Sequence, residues 1–441
     1  MRIFLVPVNA RGLFAAYFIL LSGCASFSDS FSIIEHDLVM QQPGLALQAL
    51  EKQGAGHQDQ VLYMLNKGML LRMNHDYTGS NEAFETAKRR IDALYGVSVH
   101  EQLTSFIVND TAQSFVGDEF EQILLHLYLA LNYLEMGQLD NARVEALQID
   151  IKLREQAEKA RGNSYTEDAF ARYLTGMIYE ELGEWSDAMI AYRSAYEAYI
   201  KYREKYAVAV PVFLKYDLLR LAEKQGLSDE VQKYKTTFSI NTWPSEASLH
   251  DTGELIFTLH NGLAPIKREH SVVVNNPVNG RLVRISLPHY QSRFAPVTKA
   301  RITVNRTEAV TEPVEDIDGI AVKSLEAKIP VITARLLARA VVKDQAARQA
   351  GKQNDLAGLI INITNVLTER ADTRSWLTLP HNILLARTPL PPGSYSVKVE
   401  LLGNNNEIMA TREFTDIVIR QRKKTYLSYH WVSSQSQFVR R

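Results

Sequence analysis

Three groups of residues in this chain have types and spacings that bear on chemistry: one cysteine, a row of tyrosines, and a short string rich in acid, base and indole. Cys24 is the only cysteine among 441 residues, so no disulfide forms within the chain and the fold rests on its core. Its sulfur follows Leu21-Ser22-Gly23 directly, and a thiolate is a nucleophile. Tyr192, Tyr196, Tyr199, Tyr202 and Tyr206 recur at helical steps that put all five rings on one face. Such a row is either an aromatic wall for a peptide or glycan or the stripe by which a helix meets a core. Tyr202 and Tyr206 are the members expected to be exposed. In the string 371–380, ADTRSWLTLP, Asp372 could hold the Arg374 guanidinium over the Trp376 indole as a recognition patch, or the same group could clamp a helix to the next strand.

Reaction chemistry leaves no comparable trace. There is no HExxH, paired cysteine, Walker loop, GxSxG or GxGxxG, and no set of nucleophile, base and orienter is visible. The eleven histidines are scattered without zinc-like spacing; His126 reads as a packed helix residue. The expectation is therefore no enzyme, no metal and no cofactor. Asn261 to Lys267 (NGLAPIK) reads as a turn presenting Lys267, or simply a hairpin. Arg420 to Lys424 (RQRKK) reads as a solvated strand edge that discourages aggregation, with contact to anionic headgroups as the alternative.

The elements that position these residues begin with a leader. Residues 1–23 carry Arg2 and Arg11 and then the apolar run Leu13 to Leu21, too short to span a bilayer, as a secretory signal is. Leu21-Ser-Gly-Cys24 resembles the lipobox of bacterial lipoproteins. The resemblance implies that Cys24 is acylated (a palmitate-type lipid anchor) and becomes the mature N-terminus, with 24–36 as a tether. Ala25 stands where lipoproteins kept at the inner membrane usually carry Asp, so the resemblance implies the outer membrane, facing the periplasm. A formal charge of −1 argues against nucleic acid as a partner.

Residues 37–240 read as helical hairpins. In 168–198, Gly176 and Ala188 are small where two helices would cross, Tyr179 and Tyr192 are large where the wedge opens, Ala195 follows, and Gly183 ends the first helix. This pattern resembles a tetratricopeptide repeat, which implies a solenoid of stacked hairpins. A second match runs through Tyr133, Gly137, Ala142 and Ala146, and a third through Gly68, where His75 replaces the turn glycine. A fourth hairpin spans 212–237 around Gly226. The turn glycines stand further apart than the family period of about 34 residues, so the array is irregular.

At Thr242-Trp-Pro-Ser245 helix formers give way to β-branched residues, Pro and Asn, which marks a boundary. Residues 245–441 read as a β-rich, sandwich-like domain. Strands are predicted over 254–259, 271–274, 281–287, 300–304, 383–386, 395–402, 408–414, 416–419 and 424–431, with a weak one over 319–328. A pair of helices, 331–349 and 355–371, is predicted as an insertion. The fold class is thus α+β: a tetratricopeptide-like helical solenoid followed by a β-rich domain.

The NGLAPIK and ADTRSW…LPPG strings resemble those of an uncharacterised group of Gram-negative lipoproteins with tetratricopeptide repeats and a β-rich C-terminal domain. Taken together, the reading is a lipid-anchored periplasmic scaffold that binds another envelope protein, through its repeat groove or β-domain surface, in envelope or cell-wall assembly. The alternative is a binding protein for a glycan or peptidoglycan fragment, using the tyrosine row and Trp376.

Overall fold

The computed structural model describes residues 31–105, 111, 113–159, 165, 167–275, 280, 282–353 and 370–433. The leader, Cys24 and most of the tether lie outside them, as does nearly all of the second predicted inserted helix. Helices α1 (Ser32–Val39) and α2 (Pro43–Gln53) come first. Four antiparallel hairpins follow: α3 (Gln60–Met73) with α4 (Tyr77–Ser105), α5 (Glu119–Glu135) with α6 (Leu139–Lys159), α7 (Ala169–Glu181) with α8 (Trp185–Tyr206), and α9 (Val212–Lys224) with α10 (Ser228–Phe238). Short α11 (Glu246–Leu249) leads into the strands.

One turn is used four times. Gly137, Gly183 and Gly226 have φ of 68°, 79° and 71°, and His75, in the same place after α3, has φ of 61°. At each, the residue's N–H reaches the carbonyl three residues back and the next N–H the carbonyl five back, as in Gly183 to Glu180 (3.0 Å) and Glu184 to Tyr179 (2.9 Å). His75 and Asp76 repeat this toward Arg72 (2.9 Å) and Leu71 (3.0 Å), so the histidine holds a turn that a residue without Cβ would hold at lower cost. Within the hairpins, a Cβ on Gly176 would stand 2.3 Å from Tyr192 Cδ1, and one on Gly68 2.4 Å from Phe84 Cε1. Each glycine therefore admits a ring of the second helix. Tyr192 thus packs on Gly176 at the crossing itself, which corrects the expectation that it fills an opening wedge. Ala142, Ala188 and Ala195 are fully buried, Tyr179 is buried, and Tyr133 is partly so.

The strands are β1 (Gly253–Asn261), β2 (Ile266–Asn275), β3 (Leu282–Gln291), β4 (Lys299–Val304), β5 (Thr307–Val310), β6 (Glu312–Asp316), β7 (Asn382–Leu390), β8 (Gly393–Leu402), β9 (Ile408–Ile419) and β10 (Lys424–Trp431). One sheet has the order β10-β1-β7-β6, another β5-β4-β8-β9, and β2-β3 form a two-stranded ribbon. β1 and β10 are parallel and the other pairs antiparallel. The weak strand over 319–328 is instead the start of α12 (Ile317–Gln353). Its buried residues Ile317, Ile320, Ala321, Ser324 and Leu325 recur at a helical period, Asp316 accepts the Gly319 N–H at 3.1 Å, and the helix continues past Pro330. The predicted strands 408–414 and 416–419 are one strand, β9, with Asp416 at positive φ.

The two four-stranded sheets enclose an apolar core: Leu255, Phe257, Leu259, Leu384 and Ala386 from one, Ile302, Val304, Val397, Val399 and Leu401 from the other. The opposite face of the first sheet lies on the helices, so that Ile256, Ile383 and Leu385 belong to the helical core. The order of layers is helical hairpins, sheet, sheet.

Candidate functional site

The first helices of the two central hairpins are covered on almost every side. In α5 only Tyr133, Glu119 and Glu135 escape burial, and in α7 only Arg172 and Glu181. One face meets the hairpin partner and the other meets the sheet. Tyr128 Oη lies 3.0 Å from His260 Nδ1, Asn66 Oδ1 accepts the Thr378 N–H at 3.2 Å, and Tyr199 Oη donates to Val314 O at 3.0 Å. Arg387 on β7 takes Glu254 in a two-pronged contact at 2.8 Å on each arm and also pairs with Asp217 of α9. The inner face of the array is occupied by the chain's own β half.

The candidate partner-binding residues divide accordingly. Tyr202 and Tyr206 are buried, against the expectation of exposure. Tyr202 joins a chain of hydrogen bonds from Asp168 through Tyr165 (2.8 Å), then Tyr165 to Tyr202 (2.9 Å), then Tyr202 to Glu315 Oε1 (3.4 Å). Burial, and then the neighbouring Asp168 charge, push Glu315 well above the usual carboxyl range. Asp168 is pushed up by burial to about 6. Tyr206 packs edge-on to Tyr202 with centroids 4.8 Å apart. Tyr199, Tyr202 and Tyr206 are core residues because β6 and the start of α12 cover them, whereas Tyr192 packs on Tyr173 and the partly buried Tyr196 on Phe238.

Trp376 is likewise buried, wedged edge-on between Phe84 and Tyr128 at 5.6 and 6.0 Å. Its indole N–H donates to Thr378 Oγ1 at 2.9 Å. Arg374 is held by Asp372 (2.7 Å) as expected, but it lies over Phe115 at 5.7 Å rather than over the indole. It also meets Asp59 at 3.1 Å and the Gln113 carbonyl at 2.9 Å. It clamps the β half to the helical half, not one β-domain element to the next. The glycan reading thereby loses the exposed rings it named.

Both strings singled out in the sequence nevertheless reach one place, a cleft of about 510 Å³ between the start of α5, the β2-β3 ribbon, α12 and the segment 370–374. Asp118 and Glu121 form a capping box on α5. Asp118 meets Lys267 Nζ at 3.1 Å and Lys328 Nζ at 2.8 Å, and Lys328 also pairs with Glu119. Burial alone would raise Asp118, but the two ammonium groups outweigh it and hold the carboxyl well below its usual range. Burial would lower Lys267, and Asp118 reverses that. Glu121, behind the cleft, is pushed up to about 7 by burial and then by the Asp118 charge. Its oxygens accept main-chain N–H groups from Trp376 (2.7 Å) and Asp118 (2.7 Å), so it ties the two halves together. The lining includes Phe115, Leu325, Val331 and Leu336, with Lys267, Lys328, Arg335, Arg370 and Arg374 against Asp118, Glu119 and Asp372. Such a site can hold a chain segment by apolar contact and charge.

Sequence reasoning missed Asp118, Glu121 and Lys328. The first two carry a readable signal, an Asp followed three residues later by Glu ahead of an apolar run. His126 is packed as expected, 2.6 Å from Glu145. Arg420 to Lys423 are exposed. Among the described residues no three potential metal ligands cluster, and no helix is long and apolar enough to cross a membrane.

The fold and cleft together define an array of helical hairpins whose inner face is sealed by a β half in the same chain. No family model matches this chain, and no curated protein matches it. Among solved structures, MamA AMB-1 is similar over 48% of this chain and 88% of that one, at 13% identity and a TM-score of 0.30. A likeness of that size carries no argument about fold or function.

Proposed function

We propose that this protein is a lipoprotein held at the outer membrane through Cys24, facing the periplasm, where its tetratricopeptide-like hairpins and β half serve as a scaffold for another envelope protein in envelope or cell-wall assembly. It acts by binding rather than by catalysis, and tethering raises the local concentration of whatever it holds. The observation that carries this reading is the cleft at the start of α5. The inner helical face, which solenoids ordinarily use for partners, is filled, whereas the cleft keeps apolar lining residues and more basic than acidic side chains. That chemistry fits a segment mixing apolar and acidic residues.

A photo-crosslinking residue at Val331, which lines the cleft and is 62% exposed, tests it in native membranes. The expected result is a discrete protein adduct that is lost with Lys328→Glu and is absent when the probe sits at Val144 on α6. Adducts with cell-wall fragments only, or the same adducts from both positions, would overturn the reading. Cys24→Ala should release the protein from the membrane fraction.

A further inference from the structure

A second cleft, of about 280 Å³, lies at the opposite border of the two halves, where the end of α3 meets β9 and β10. It is lined by Arg72, His75, Tyr77, Arg412, Ser428 and His430, among others. Arg72 is almost wholly buried. Its two terminal nitrogens are engaged, by Asn132 and by Ser428 Oγ (2.7 Å), but Nε has no partner. His430 Nε2 is also buried without one. The His430 ring stacks on His260 at 4.3 Å between centroids and 11° between planes. Arg412, on β9, is exposed and forms no ion pair among the described residues. Among the described residues Arg72 pairs with one carboxylate, Glu135 on α5, 3.6 Å away; burial raises its pKa, and its Oε1 is also buried without a hydrogen-bond partner. His75 fills the left-handed turn position that the other three hairpins give to glycine.

Two guanidinium groups, two histidines, a tyrosine and a serine hydroxyl thus converge on a small polar cleft, with one acid as counter-charge and two buried nitrogens unsatisfied. Unpaired buried polar atoms are costly, and the Arg72 Nε–H in particular calls for an acceptor that would complete it. We propose that this cleft is an oxyanion site that takes a phosphate-bearing group between Arg72, Arg412 and His430. Arg is suited to the planar, two-pronged recognition of such a group.

The groups facing the site also set its pH dependence. Burial, then Arg72 and Arg412, lower His75; burial, then His260 and Arg72, lower His430; burial and Arg72 lower His260. An anion between them favours their charged forms, so binding takes up protons and tightens as pH falls.

The test is a titration of the purified full chain with inorganic phosphate, followed by imidazole NMR, with sulfate as an anion whose own charge does not change. A parallel arm uses nanodiscs of phosphatidylcholine with and without phosphatidic acid. The expected result is a shift of the His75 and His430 resonances, an affinity for sulfate that rises on acidification, and a loss of about tenfold or more in Arg412→Ala. His430→Gln should weaken binding as well. If inorganic phosphate suffices, the ligand is a free phosphate compound; if only phosphatidic acid moves the resonances, in an Arg412-dependent way, it is a lipid headgroup. Unmoved histidines in both arms, or binding indifferent to Arg412→Ala and His430→Gln, would overturn the proposal.

Discussion

Strand β1 separates two interiors that differ in kind. Leu255, Phe257 and Leu259 point into the space between the sheets, where they join a largely apolar core. Glu254, Ile256, Thr258 and His260 point at the helices, and there Glu254 meets Arg387, Thr258 meets Ser428 at 2.9 Å, and His260 meets Tyr128. The first interior is held by area removed from water, which is not directional and tolerates repacking. The second contains charges and hydroxyls that are acceptable only with partners in place. The dry side accounts for the sandwich; the polar side specifies how the helical array must sit on it.

That contrast can be broken most directly at Arg387. Arg387→Ala leaves Asp217 and Glu254 without their shared cation and should cost about 3–5 kcal/mol in urea unfolding, whereas Phe257→Leu on the dry side should cost less than about 1.5 kcal/mol. Equal losses would mean the polar side is no more demanding than the dry one. Next in size, Gly176→Ala forces a Cβ into the Tyr192 ring and should cost about 1–3 kcal/mol, with Gly137→Ala in the turn as a comparison that strains the backbone without touching a ring.

Acidity sharpens the comparison on the polar side alone. Glu315 and Asp168 hold their protons more tightly when folded, so each withdraws stability as pH climbs from the unfolded carboxyl value through the folded one, and neither withdraws any below that window. Glu315→Gln carries no such proton. As pH rises above the unfolded carboxyl value its stability relative to the parent should rise, by about 1.4 kcal/mol for each unit of pH inside the window; a flat difference would mean that Glu315 is not shifted. Asp118 and Glu180 act in the opposite sense. Both are held low by cations despite their burial, so their support is lost on acidification. The smallest effect is expected at His75→Gly, which should stabilise the turn by about 1 kcal/mol while weakening phosphate binding at the second cleft.

Much of the fold was legible because it is local. The turn at Gly183, the tight crossing at Gly176 and the strands over 281–287 and 395–402 each depend on residues a few positions apart, and spacing reports them directly. Residues 319–328 were misread because Pro330, which reads as a helix break, separates them from the helical pattern that follows although the helix runs through it, and β5 and β6 were missed because they are brief and polar. Of the candidate site, Lys267, Asp372 and Arg374 were named in advance. Their role was not, since Lys267 finds Asp118 and Arg374 finds Asp59 across long stretches of chain.

By itself, then, the amino-acid order determined that paired helices precede strands, where the turns fall, and that one face of α8 carries five tyrosines. Only the tertiary structure decided that this face is covered, that Trp376 is a plug and not a platform, and that the inner surface of the hairpins is closed. The reason is physical: a stripe of rings records that a face must leave water, but what takes water's place is supplied by the other half of the chain.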